Sequence, residues 1–459
     1  MHFPFRNPYK KKYFRSDLFF KGIVLTIAAI FTINASFSQS NQIDTIKKEK
    51  KKTGFNFGAL PAIAFDSDLG FRYGALANFY DYGDGASYPM YRHSLYLEWS
   101  RTTKGSGTNQ IIYDSEYLIP RIRTTLEYDL FTEKALDFYG FNGYEAYYNP
   151  NFEDKDSPEY ISRMYYRHER KLNHIKADFQ GNISGRKFRW LAGVEYFGHQ
   201  IATVNISKLN KGKDSEDLLP DTALLYDKFV SWGIIPEDQK DGGNNTFLKL
   251  GLVYDTRDNE PNPMKGIWTE AILLTGIPAR STKDYSFSKF IITHRQYFTL
   301  RRDVLNLACR LSYQAKISGN MPFYMLPYIY NSMTTRDGLG GFKTIRGVLR
   351  NRIAGQDYLY GNLELRWKFL RTIVMNQNLY IALAGFYDFG KVTRNFSFDK
   401  KPEAQSYLDQ GSKETWHGGY GAGLYFAMNQ NFVVNFSYGL ATNSQDGKNG
   451  IYIGLNFLY

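Results

Sequence analysis

Cysteine is nearly missing: Cys309 stands alone among 459 residues. One thiol cannot staple a small secreted scaffold, and it has no partner for a zinc site. Past residue 38 no stretch holds 18 consecutive apolar residues, which excludes a transmembrane helix in the remainder of the chain. Catalytic signatures are missing as well. The seven histidines (His2, His93, His168, His174, His199, His294, His417) show no H-E-x-x-H or other metal spacing. There is no G-x-S-x-G, Walker loop or dinucleotide fingerprint. No catalytic residue, metal site or cofactor is expected, and the chain is not expected to be an enzyme. A basic stripe is also lacking. The net charge is +12, but residues 1–52 carry 11 Lys/Arg against 3 Asp/Glu, while the other 407 residues carry 46 against 42. The body is almost balanced, so nucleic acid is not an expected partner.

What the chain has is rings and glycine: 37 Tyr, 35 Phe, 6 Trp and 40 Gly, at a mean hydropathy of −0.44. Aromatics in that excess rule out a disordered chain. They suit strands joined by turns, and aromatics placed at a membrane interface.

The first residues read as a targeting segment. Arg6, Lys10, Lys11, Lys12, Arg15 and Lys21 precede the apolar run Gly22 to Ile33. Small residues at Ser36 and Ser38 follow, so residues 1–38 are expected to be a signal peptide. The run is too short to cross about 30 Å of hydrocarbon. Residues 39–52 form a Lys-rich tail, and 53–459 form one body.

That body alternates with period two. Ile451, Ile453, Leu455, Phe457 and Tyr459 share one face of the last segment, opposite Tyr452, Gly454 and Asn456. Phe432, Val434, Phe436, Tyr438 and Leu440 do so in the segment before it. The segments are long enough for a tilted strand to span a bilayer, and Tyr and Phe cap their apolar faces. Sixteen strands are expected: 55–66, 69–81, 90–103, 106–119, 121–132, 159–182, 187–204, 244–256, 266–277, 286–300, 303–318, 356–370, 377–390, 414–428, 430–442 and 450–459. The long connections 133–158, 205–243, 319–355 and 391–413 all follow odd-numbered strands and therefore share one end, read as extracellular. The expected fold is all-β: a 16-stranded antiparallel transmembrane β-barrel with both termini periplasmic, in a bacterial outer membrane. The glycine run Gly419, Gly421, Gly423 lies on the lumen face, where it makes room for a folded-in loop rather than cradling a phosphate. Asp255 and Asp258 read as turn and ion-pair residues.

Two segments go beyond generic alternation. One is Gly251-Leu252-Val253-Tyr254-Asp255-Thr256-Arg257-Asp258-Asn259, followed by Pro261, Pro263 and Lys265-Gly266. The other runs from Arg336-Asp337-Gly338-Leu339-Gly340-Gly341 through Ile345-Arg346-Gly347 and Arg352 to Gly361-Asn362-Leu363-Glu364-Leu365-Arg366. With Gly385 to Gly390 and Phe138-Tyr139-Gly140-Phe141-Asn142-Gly143, these resemble the signature segments of the bacterial surface antigen superfamily, the BamA/TamA-type barrels that assemble or translocate outer-membrane proteins. The resemblance spans roughly 50–459 and keeps the family's motif order.

The resemblance implies that the sixth extracellular loop, 319–355, folds back into the lumen. Its tip, Arg346-Gly347, is then expected to meet Glu364 and Asp388 on the two following strands. Strand phase agrees independently. Glu364 shares a face with Tyr360, Asn362 and Arg366, and Asp388 shares one with Ala382 and Ala384. The family turn motif is Asp255, Arg257 and Asp258. Relatives carry periplasmic POTRA domains, whereas only 14 residues separate the expected signal peptide from the barrel, so a member lacking POTRA domains is expected. The implied function is outer-membrane biogenesis, by insertion or translocation of protein or lipid. A structural or interaction subunit of an outer-membrane complex, or a passive pore, is the alternative. The implied partners are outer-membrane lipid and lipopolysaccharide, and other outer-membrane proteins or a second copy of the chain.

Overall fold

The computed structural model describes residues 50–66, 70–260, 262–278, 285–332, 335–429, 431–455, 457 and 459. The expected signal peptide, and residues 39–49 of the Lys-rich tail, lie outside the described residues.

Alternation is what makes the wall. On the strand carrying Glu364, the odd positions Leu363, Leu365 and Trp367 are exposed, while Tyr360, Asn362, Glu364 and Arg366 are buried. An apolar face turned outward and a polar face turned inward invert the soluble pattern, as a lipid-facing barrel requires.

Sixteen strands span the sheet. β1 comes in two segments, Phe55–Pro61 and Ala64–Asp66, interrupted after a proline that cannot donate to the ladder. Register survives the break: Pro61 faces Ala75 and Ala64 faces Arg72. There follow β2 Gly70–Asp81, β3 His93–Thr102, β4 Gly107–Ile119, β5 Ile122–Asp137, β6 Arg167–Ser184, β7 Phe188–Ala202 and β8 Gly242–Asp255. The second half is β9 Gly266–Ile277, β10 Phe287–Arg301, β11 Leu305–Gly319, β12 Asp357–Val374, β13 Gln377–Arg394, β14 His417–Met428, β15 Phe432–Ala441 and β16 Asn449–Leu455. Each strand pairs antiparallel with the next, from β1 to β16. Among the described residues no ladder joins β16 back to β1.

The long connections L3 (138–166), L4 (203–241), L6 (320–356) and L7 (395–416) share one end, called here the loop end. The opposite, turn end carries the short connections and both ends of the described chain. Among the described residues the α-helices α1 Ile206–Asn210, α2 Leu225–Ser231 and α3 Pro402–Leu408 all belong to loop-end connections. Outward rings form two belts. Tyr117, Tyr254, Phe298 and Trp367 are exposed towards the turn end, and Tyr73, Trp99, Tyr420 and Tyr438 towards the loop end.

Three expectations need correction. The sixth strand starts at Arg167, not at 159, because Met164, Tyr165 and Tyr166 are buried in the loop-end core instead of joining a ladder. The fifth strand runs on to Asp137. The last strand ends at Leu455, and Phe457 and Tyr459 leave the outward face that Ile451 and Ile453 occupy. Inward partners account for this. Phe457 stacks on Tyr425 at 4.7 Å, and the Tyr459 hydroxyl donates to the Ala308 carbonyl at 3.0 Å.

Many of the aromatics belong to neither belt. Phe138, Tyr139, Phe141, Tyr165, Tyr166, Phe229, Phe323 and Tyr328 pack into a buried cluster contributed largely by L3, L4 and L6. Edge-to-face contacts such as Phe138 on Phe229, at 5.3 Å, add to the area they bury.

Candidate functional site: the clamp on loop L6

L6 leaves β11 at the loop end and turns into the lumen. Its tip is Ile345-Arg346-Gly347. Arg346 is 0% exposed. Its Nε donates to Asp388 Oδ2 at 2.7 Å, its Nη2 to Asp388 Oδ1 at 3.0 Å, and its Nη1 to Glu364 Oε2 at 2.8 Å. The Arg346 backbone N–H adds a bond to Asp388 Oδ2 at 3.1 Å. The guanidinium lies 3.5 Å from the Phe386 ring centroid. Fork geometry on Asp388 fixes the orientation of the side chain as well as its distance. Glu364 is shared: Arg366 Nε donates to its other oxygen at 2.7 Å, and the Tyr425 hydroxyl donates at 3.2 Å. Two guanidiniums and two carboxylates therefore sit together without an excess charge, the condition for burying ions tolerably.

Glycine makes the approach possible. Gly347 has φ +97°, and a Cβ there would come within 2.5 Å of the Leu440 backbone. A Cβ on Gly419 would lie 1.9 Å from the Arg346 carbonyl oxygen, and one on Gly439 2.6 Å from the Gly347 nitrogen. The glycines of β14 and β15 thus clear a seat for the loop tip. The Gly347 N–H donates to the Tyr452 hydroxyl of β16 at 2.9 Å. On β16, Gly454 leaves space for the Phe342 ring.

L6 has a second footing on β5 and β6. Arg336 Nη1 donates to Asp129 at 2.6 Å, and Arg350 bridges Glu133 and Asp337 at 2.7 Å each. Arg170 also pairs with Glu133, at 2.7 Å. Further along, Arg352 donates to the carbonyls of Gly143, Ala146 and Gln445. The L3 segment Phe138 to Gly143 docks beside it through the Asn142 N–H, which donates to the Ala354 carbonyl at 2.6 Å.

At the turn end, Asp255 forks onto Arg257 at 3.0 Å through each oxygen and also accepts from Arg189 at 2.9 Å. Asp258 Oδ1 accepts the backbone N–H groups of Met264 and Lys265, closing the turn. Arg257 stacks on Trp268 at 4.3 Å. The turn reaches into the barrel through Glu260, whose carboxylate receives Arg123 at 2.8 and 2.9 Å. Burial alone would raise the Glu260 carboxyl, but Arg123 and Arg257 outweigh it and hold it at about 2.

Glu260, Arg123, Trp268 and the Arg336–Asp129 pair did not emerge from the sequence. One signal was readable: Arg123, Glu127, Asp129 and Glu133 alternate on β5 opposite Leu126 and Tyr128. Glu127, Asp129 and His174 lie close enough together to hold a cation. Lys176 already pairs with Glu127, and Arg336 with Asp129, so the cluster is an ion-pair network.

An inward sixth loop clamped by an R-G tip within sixteen strands is a specific combination. Residues 97–458 match the family model described as the Omp85 superfamily domain. The chain belongs to the Omp85 superfamily. Its fold is also similar to solved structures. CdiB from Escherichia coli aligns at a TM-score of 0.53 and 11% identity, over 93% of this chain and 69% of that one. BamA from Haemophilus ducreyi lacking POTRA domains 1-3 aligns at 0.49 and 14%, over 95% and 79%. No curated protein matches the chain. Omp85-superfamily barrels are outer-membrane proteins, so the outward apolar faces and the two ring belts of this one meet lipid.

Proposed function

We propose that this Omp85-superfamily barrel is an outer-membrane biogenesis factor that admits protein or lipid through the wall between β1 and β16. One observation carries the reading: every neighbouring pair of strands shares a ladder except, among the described residues, this one. An open strand edge is a template for an incoming strand. Gly58 on β1, and Gly450 and Gly454 on β16, weaken the edges further, since glycine in a strand costs roughly 0.5–1 kcal/mol relative to alanine. A path through the lumen is less favoured, because the L6 clamp and the aromatic loop core fill its loop end. The loop end faces the exterior, and the turn end and both termini face the periplasm. Its partners are outer-membrane lipid, lipopolysaccharide and other outer-membrane proteins.

A disulfide joining β1 to β16, with Cys309→Ala removing the native thiol, tests the reading. Cells depleted of the protein and supplied with the locked form should lose outer-membrane barrels or lipid asymmetry broadly. Normal growth and a normal outer-membrane inventory with the locked form would exclude gating at the seam. The structural subunit would then move ahead, and a defect confined to one complex would identify it.

A further inference from the structure

The side of the seam that lacks a ladder does not lack bonds. At the turn end, residues of the N-terminal segment and of the β2–β3 connection reach across to the turns of the last strands. The Lys50 N–H donates to Asn378 Oδ1 at 2.8 Å, and Asn378 Nδ2 donates back to the Lys50 carbonyl at 2.7 Å. This is a two-way pairing that mimics one rung of a ladder. Lys50 Nζ and Lys52 Nζ both donate to Asn376, in the β12–β13 turn. The Tyr88 hydroxyl donates to the Asn429 carbonyl at 3.3 Å, and the Tyr80 hydroxyl to the Asn431 carbonyl at 3.0 Å. Asn431 Nδ2 donates to the Tyr82 hydroxyl at 2.5 Å and to the Pro89 carbonyl at 2.7 Å. Tyr80 and Tyr82 are buried. Just above, the Phe432 ring covers Gly58 so closely that a Cβ there would fall 2.5 Å from it. β1 therefore packs on β15 at its turn end, past the short β16.

We propose that residues 50–53 and the β2–β3 connection form a clasp that closes the wall at the turn end. Separation of β1 from β16 then begins at the loop end, and the clasp acts as the hinge. The inference about the clasp stands on these contacts alone; that the separation serves client entry rests on the reading given under Proposed function. The asymmetry has a physical basis. The turn end is tied by tyrosine and asparagine hydrogen bonds, those joining Tyr80 and Tyr82 to Asn431 being buried, whereas between β1 and β16 at the loop end the described residues make no rung.

Paired spin labels on the full-length protein in lipid nanodiscs, in a Cys309→Ala background, test the clasp. Phe57 and Ile453 report the half nearer the turn end, and Ile63 and Ile451 the half nearer the loop end; all four side chains point outward and are exposed. The first pair should give the narrower distance distribution. In Asn378→Ala combined with Asn431→Ala, that distribution should broaden to match the second pair, while the second pair changes little. A narrow first pair after the clasp is cut, or a narrower loop-end pair in the unaltered protein, overturns the inference. Heat-modifiability on unboiled gels confirms that the variant is folded. The milder variant Asn378→Ala alone, which removes the bond to the Tyr88 hydroxyl but spares the Tyr80 and Tyr82 contacts to Asn431, should give an intermediate width. Because the readout is structural, its failure is distinct from failure of the locked-seam growth test.

Discussion

Loop L6 stands on two walls far apart in the strand order, and the two footings are built differently. On β12 and β13, Arg346 is sealed: neither it nor Glu364 nor Asp388 has exposed side-chain surface. On β5, Arg336 is 17% exposed and Arg350 42% exposed. The chemistry is the same, arginine on carboxylate at 2.6–2.8 Å, yet water reaches the guanidiniums of only one footing, while its Asp129 carboxylate is itself buried. Solvent screening weakens an ion pair's contribution, whereas burial makes the loss of one partner costly. Distance does not rank these contacts; access of water does. The dry footing should fix where the tip sits, and the wet one should steady the loop's stem.

Breaking the dry footing should have the largest effect. Arg346→Ala leaves Glu364 and Asp388 buried with only Arg366 beside them, at a cost of roughly 3–5 kcal/mol. The folded band on unboiled gels should convert at a markedly lower temperature. Arg346→Lys keeps the charge but loses the fork on Asp388 and the stacking on Phe386. It should recover only part of the loss, which separates bidentate geometry from charge alone.

The wet footing should give less. Arg336→Ala removes a charged hydrogen bond to Asp129 and the guanidinium stacked on Phe131 at 4.4 Å. His174 remains on Asp129 and Lys176 on Glu127, so the carboxylates keep partners. The expected cost is roughly 1.5–3 kcal/mol, read on the same gels. A loss equal to that of Arg346→Ala would mean that water access does not separate the footings.

The difference between the footings also marks how far the sequence could be read. Strand phase alone turned Glu364 and Asp388 inward, because Leu363, Leu365 and Leu383 alternate strictly with them over long strands. The glycine run at 419, 421 and 423 likewise reported a close backbone approach, whereas Gly439, which also seats the tip, stood out by no such run. The second footing was hidden, because Arg336 and Asp129 are more than two hundred residues apart and no local pattern links a loop residue to a distant strand. The aromatic surplus was only half legible. Its outward share follows from alternation, but the cluster of Phe138, Tyr166, Phe229 and Phe323 comes from loops, which have no period to read. The end of β16 misled for a related reason. Phe457 and Tyr459 continue the apolar phase in sequence, and only the inward rings of Tyr425 and the Ala308 carbonyl draw them away.

The turn motif offers a third anchor of intermediate wetness, and it carries a pH signature. Glu260 is held at about 2 by Arg123 and Arg257, below the ordinary glutamate value of about 4.3. A carboxylate depressed on folding adds stability that is present above its unfolded value and is lost as pH falls through the folded one. The barrel should therefore lose heat stability between about pH 4 and pH 2. Glu260→Gln should cost roughly 1–2 kcal/mol at neutral pH, since Arg123 keeps Asp114 at 2.8 Å. The variant should also lose less than the unaltered protein on acidification. Melting curves at neutral pH and across that window, taken for both proteins, measure the difference. Parallel acid losses in the two would remove Glu260 from the account.

Arg350 should matter least, and for that reason it sharpens the comparison most. It makes two bonds of 2.7 Å, to Glu133 and Asp337, as short as any in the Arg346 clamp. If geometry set the contribution, Arg350→Ala would rival Arg346→Ala. Its side chain is 42% exposed, however. Exposed pairs of this kind contribute about 0–1 kcal/mol, and less in salt. Glu133 also keeps Arg170 after the change, and Asp337, 29% exposed, loses its arginine but stays open to water. Arg350→Ala should shift the gel transition barely, and raising the salt concentration should shrink even that difference. Arg346→Ala, by contrast, should keep its full effect at high salt, because no ions enter a site without exposed surface. Measuring both variants at low and high salt therefore tests the claim directly: a salt-insensitive loss at Arg350, or a salt-sensitive one at Arg346, would show that the two footings of L6 are not divided by water.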